Sequence, residues 1–144
     1  MSSRSEQMLG KKGRRMNDSF VMMPHHVLAH DNFKTLSPRA TKFLMDLLAQ
    51  FRGNNNGDLC ATLKTMRERG WNSSDQLHKA KNELIEKDVI IVARQGGLNK
   101  ANLYAVTWFP IDECKGKLDV APTRTAPVNW KNRSSSPLVG AKGS

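Results

Sequence analysis

Apolar residues recur with a helical period in two places along this chain and crowd together in a third. Ala40, Phe43, Leu44, Leu47, Leu48 and Phe51 stand at i, i+3, i+4, i+7, i+8 and i+11, which puts them on one stripe of a helix. Arg39, Lys42, Asp46 and Gln50 fall off that stripe and are expected outside the core. Ser37-Pro38 opens the helix with an oxygen-bearing cap and a proline at the first helical position, where its missing N–H costs nothing. The second periodic stretch places Leu77, Ala80, Leu84 and Ile85 on one side, with the aliphatic stem of Lys81 beside them. Asp75, Lys79, Asn82 and Glu86 face the other way, flanked by His78 and Glu83. Ser73 followed three residues later by Gln76 has the spacing of a capping box at the start of this helix.

Between these two helices Thr62 can cap a short one that carries Leu63 and Met66 inward and Lys64, Arg67 and Arg69 outward. Gly70 suits the left-handed position that ends it, and Trp71 is expected to pack into the helix junction. The crowded apolar stretch comes last. Val89 to Ala93 and Leu103 to Trp108 are rich in strand formers, so they predict a hairpin whose connection runs from Arg94 to Asn102 and relaxes at Gly96-Gly97. Leu59 to Ala61 predicts a further short strand, and Gly53 to Asp58 a surface loop.

The flanks carry weaker signals. Met1 to Asn17 has no apolar period and predicts a disordered arm, in which Lys11, Lys12, Arg14 and Arg15 form a basic cluster suited to a phosphate backbone or a minor groove. Phe20 to Met23, ended by Pro24, predicts a packed lead-in of a strand and a short helix. Adjacent His25 and His26 would point about 100° apart on a helix, which disfavours a shared metal. Cys114 to Val120 can add one more turn to the body, and from Ala121 the composition predicts a flexible tail, with Val128 and Trp130 as isolated exceptions. The expected organisation is therefore an arm at 1–17, a domain at 18–120 and a tail at 121–144.

Charge changes what this outline means. Lys and Arg outnumber Asp and Glu 23 to 13 over 144 residues, a surplus of +10 that attracts phosphate polymers or anionic surfaces. No apolar run approaches the roughly 18 to 20 residues of a membrane span, and no secretory signal opens the chain, so no membrane partner is expected and the location is expected to be cytoplasmic, nucleoid-associated when bound. Cys60 and Cys114 lie far apart with no zinc-type spacing around them. No nucleotide-binding glycine loop, catalytic triad or clustered carboxylates stand out either, so neither a cofactor nor an enzymatic activity is expected.

Helix, tight break, helix, strand, polar loop, strand is the order of a helix-turn-helix followed by a β-wing. Residues 37–108 resemble the winged helix-turn-helix family, and the pattern GDLCAT, LKTMRERGW and NELIEKDVIIVARQGG is similar to small winged-helix proteins of bacterial phages, plasmids and integrated elements, among them replication initiators and regulators. The resemblance implies an α+β fold, a helical core with a C-terminal β-hairpin wing and flexible basic tails. It also implies that Ser74, Gln76, His78, Lys79 and Asn82 contact a DNA groove, and that Arg94, Gln95, Asn99 and Lys100 form the wing's grip. Amide groups such as those of Gln76 and Asn82 match adenine in the major groove, and Arg94 suits either a phosphate or a narrow minor groove. The expected function is sequence-preferring double-stranded DNA binding in transcriptional regulation or replication initiation. A homodimer on an inverted repeat and a monomer both stay open. The rival reading is an adaptor that docks its winged-helix body on a host polymerase, helicase or defence complex, with Trp130 and the tails as handles.

Overall fold

A computed structural model describes residues 19–132 as a mixed α+β fold of five helices and one small antiparallel sheet. In chain order these are α1 (His25–Leu28), α2 (Asp31–Lys34), α3 (Pro38–Leu48), β1 (Leu59–Cys60), α4 (Leu63–Arg67), α5 (Ser74–Glu86), β2 (Ile90–Arg94) and β3 (Leu103–Val106), with a single turn at Cys114–Gly116. Ser19 to Pro24 form neither helix nor strand, so the strand expected over Phe20–Met23 is absent; α1 supplies the expected short helix.

Helix starts follow local chemistry. Ser37 accepts from the Ala40 amide, Thr62 from Thr65 and Ser73 from Gln76, each satisfying an orphan donor of the first turn. Gly70 ends the α4 segment at φ 98°, where a side chain would be strained, and the Trp71 amide closes back on the Met66 carbonyl at 3.1 Å. α3 is the central helix: Ala40, Phe43, Leu44, Leu47 and Leu48 are buried, while Phe51 is half-buried and stacks on Phe109 with ring centres 5.2 Å apart.

The strands lie in the order β1-β3-β2, so β3 pairs on both edges. Tyr104 and Val106 face the helical core, whereas Ala105 joins Ala93 and Ile111 in a second, smaller cluster that Leu118 and Val120 cover. Burial from both sides explains why all four β3 residues are inaccessible and why the run reads as continuously apolar.

Three expectations are corrected by burial. Asp46, expected outside, is 4% exposed. Asn56, in the expected surface loop, is fully buried and brackets the end of β3: its side chain donates to the carbonyls of Val106, Phe109 and Pro110 and accepts from the Val106 amide. The body expected to stop at residue 120 continues to Trp130. Val128 and Trp130 are each 2% exposed, and the backbone between them and β3 is tied by Thr123 to Ile111 and by Val128 to Thr107. Trp130 packs edge-on against His30 and Trp108, and its indole N–H donates to Thr107 Oγ1 at 2.9 Å. A tryptophan that buries this much surface outweighs the Pro- and Thr-rich composition around it. Residues 133–144, with the rest of the expected tail, lie outside the described residues, as does the arm at 1–17.

Candidate nucleic-acid interface

The geometry of the α4–α5 pair is set from below, by charges on α3. Asp46 accepts from the Trp71 indole N–H at 2.7 Å, from Lys42 Nζ at 2.6 Å and from Arg69 Nε at 3.0 Å. Lys42 also donates to the Arg69 carbonyl at 2.8 Å. Burial alone would raise the Asp46 pKa, but these donors outweigh it and hold the carboxyl below the usual aspartate range. Trp71 meanwhile sits edge-on against Phe43, in the helix junction expected for it. One carboxylate thus clamps the end of α4 and the turn that follows it onto α3, which fixes where α5 begins.

A second clamp orients α5. Glu83, expected beside the outer face, turns to α3 and accepts from the Ser37 amide at 2.7 Å and from Ser37 Oγ at 2.6 Å. It completes the cap that starts α3 and satisfies a backbone donor the helix itself cannot reach. At the other end of the helix Gln76 accepts from Arg39 Nη1 at 2.7 Å. The capping box is therefore half formed, with Ser73 doing its part while Gln76 answers the guanidinium instead. The Lys87 carbonyl just past the C-terminus of α5 accepts from the buried Asn32 side chain at 2.9 Å.

What α5 leaves in solvent is a polar face. Ser74, Gln76, His78, Lys79 and Asn82 are all exposed, as are Asp75 and Glu86. Lys79 pairs with Asp75 at 3.3 Å, both half-exposed or more, and Asn82 meets His78 at 3.0 Å. Exposed pairs of this kind are worth about 0–1 kcal/mol, so an approaching phosphate or base competes with them easily. Asp75, whose charge would otherwise oppose a phosphate, is thereby matched with a cation.

The sheet, through β3, meets the first turns of α5. Tyr104, second residue of β3, lines a hollow of about 180 Å³ together with Ser74, His78 and Lys81; that volume is below the roughly 300 Å³ of small-molecule sites. Burial raises the Tyr104 hydroxyl above its usual pKa, against the lowering contribution of the Asn102 hydrogen bond. Across the loop, Gln95, Asn99 and Lys100 are exposed. Arg94 differs from them. It is half-buried beyond a bulge in β2 and donates through Nη2 to the Ala101 carbonyl at 2.7 Å, bracing the neck of the loop.

The structure leaves the α5 residues and Gln95, Asn99 and Lys100 accessible, and turns Arg94 inward. Lys11, Lys12, Arg14 and Arg15 lie outside the described residues. Arg39 and Lys42, which line a hollow with Ser73 and Gln76 at the start of α5, add two cations that periodicity along α3 could not connect to a helix more than thirty residues on. Among the described residues no helix is long and apolar enough to cross a membrane. No protein-family model, curated protein or solved structure matches the chain, and function is read from the chemistry of the site itself.

Proposed function

We propose that the protein is a winged helix-turn-helix that binds double-stranded DNA with sequence preference, as a bacterial or mobile-element factor in transcriptional regulation or replication initiation. The observation that carries this reading is α5: a helix clamped by Glu83 and by the Asp46 cluster, whose outward Ser74, Gln76, His78, Lys79 and Asn82 remain in solvent. Residues carried on a fixed helix and left in solvent are what groove recognition requires, because a rigid scaffold spares the ordering cost at binding. The succession α4, turn, α5, β2, loop, β3 and the β1-β3-β2 sheet support the winged-helix assignment. Arg39, Lys42 and Lys79 would meet phosphates, which position the helix, and Gln76 and Asn82 the base edges, which specify the site.

Titration of fluorescent DNA from upstream of the protein's own coding region, and of a scrambled duplex of equal length, tests this at two salt concentrations. The expected result is tighter binding to the native sequence, with a log–log salt slope of about −0.9 per phosphate neutralised. Equal binding of both that vanishes at physiological salt would overturn it.

A second reading, docking on a host protein, is favoured by one feature: Phe20, Val21 and Met22 are each more than a third exposed beside Phe51 and Phe109. An apolar contact there would respond weakly to salt, so the same titration against a candidate partner separates the two. Trp130 offers no handle for such a partner, since it is inside the core.

A further inference from the structure

Among the described residues one large apolar side chain stands out by its exposure. Leu98 is 92% exposed, whereas the other exposed large apolar residues among those described lie between 36% and 41%. A lone, partly exposed leucine on a flat surface is ordinary. Leu98 instead occupies the tip of the β2–β3 loop, where Gly97 and Lys100 exchange two backbone hydrogen bonds of 3.1 Å around Leu98 and Asn99.

That tip is stiff. Asn99 takes a positive φ of 62°, a conformation asparagine tolerates better than most residues. Gly96 lies so close to the returning strand that a Cβ there would come within 2.5 Å of the Lys100 carbonyl oxygen. Its amide donates to Asn102, and Arg94 ties the neck through Ala101. The hairpin therefore presents a branched apolar side chain on an ordered support, flanked by an amide and an ammonium.

We propose that Leu98 is a wedge that enters the minor groove and partly unstacks one base step, kinking the duplex toward the major groove. This rests on the DNA-binding reading above. Apolar side chains inserted from minor-groove binders act in this way. The flanking groups fit the same groove: Asn99 can donate to the acceptors of an A·T edge, and Lys100 reaches a phosphate. Flexible pyrimidine–purine steps deform most readily, so the wedge selects a TA or CA step at a position that no hydrogen bond reads.

The full chain, wild type and Leu98→Ala, is titrated into a short A·T-rich duplex carrying 2-aminopurine at a central TA step, and into one with a donor and an acceptor dye on its ends. Anisotropy reports binding on the same samples, and circular dichroism verifies folding. The wedge predicts that wild type raises both the 2-aminopurine emission and the end-to-end energy transfer. Leu98→Ala should lose at least about half of each signal while its affinity falls no more than about tenfold, and Leu98→Met should retain both. Equal unstacking and bending by Leu98→Ala would overturn the wedge and leave DNA binding standing. Absence of binding by wild type to this duplex and to the upstream DNA would overturn the DNA-binding reading, and the wedge with it.

Discussion

Two regions of this molecule are held together by different chemistry. Beneath α5 the joints are polar and directional: Asp46 gathers three donors, and Glu83 caps Ser37. Around Trp130 they are aromatic and close-packed, with His30 and Trp108 against the indole and one hydrogen bond to Thr107. A hydrogen-bonded joint fixes angle, which the proposed recognition helix needs; a packed aromatic fixes volume and adds apolar burial. Orientation of α5 thus rests on directional polar joints and the end of the body on aromatic packing, and substitutions should divide along the same line.

The largest effect is expected at the aromatic end. Trp130→Ala should cost about 3–5 kcal/mol, read as a lower midpoint in urea denaturation. A loss below about 1 kcal/mol would show that the end of the body is only loosely attached. At sub-denaturing temperature the folded fraction should keep the wild-type order of DNA preference, because the ring contacts and the hydrogen bond of Trp130 go to His30, Trp108 and Thr107 and not to the exposed face of α5.

A smaller effect, of another kind, is expected at Asp46. Asp46→Ala leaves the Trp71 N–H without its acceptor and should cost about 2 kcal/mol, with a change in target preference that Trp130→Ala does not produce. Because the folded state lowers the pKa of this carboxyl, its contribution is complete above about pH 4 and is lost as pH falls through the lower folded value. Acid titration of stability should show that loss in wild type and a shallower one in Asp46→Asn. Parallel curves would mean that the clamp does not depend on charge.

The smallest effect on stability is expected on the exposed face itself. Lys79→Ala combined with Asn82→Ala should change folding free energy by no more than about 0.5 kcal/mol, since their partners Asp75 and His78 are themselves exposed, yet should abolish target preference in a competition assay. Unchanged preference in the folded double variant would move recognition off α5.

The same division decides what could be read from the sequence. The α3 stripe, the caps at Ser37, Thr62 and Ser73, the break at Gly70 and the two strands of the hairpin all rest on neighbours within one or two turns of chain, where period and turn chemistry act. Asp46 was misplaced because its position on α3 is off the apolar stripe; what draws it in is Trp71, 25 positions later. Asn56 closes on β3 fifty positions away, and composition around Trp130 speaks only for a tail. At the candidate site the α5 face is legible from its period, whereas the inward turn of Arg94 depends on a bulge, and a leucine in a loop carries no polar signal that would mark Leu98.

The seat of Trp130 also has a place in time. His30 leaves the ribosome first, and Trp130 follows roughly 100 residues later, an interval of about 5–20 seconds at ordinary rates of synthesis. Only over its last part, the roughly 24 residues from Val106 to Trp130 and about 1–5 seconds of synthesis, have all residues of the α4–α5 pair and the hairpin been made while the seat still stands open. In that interval the nascent chain carries the complete α5 face on a body that has yet to receive the buried Trp130 side chain.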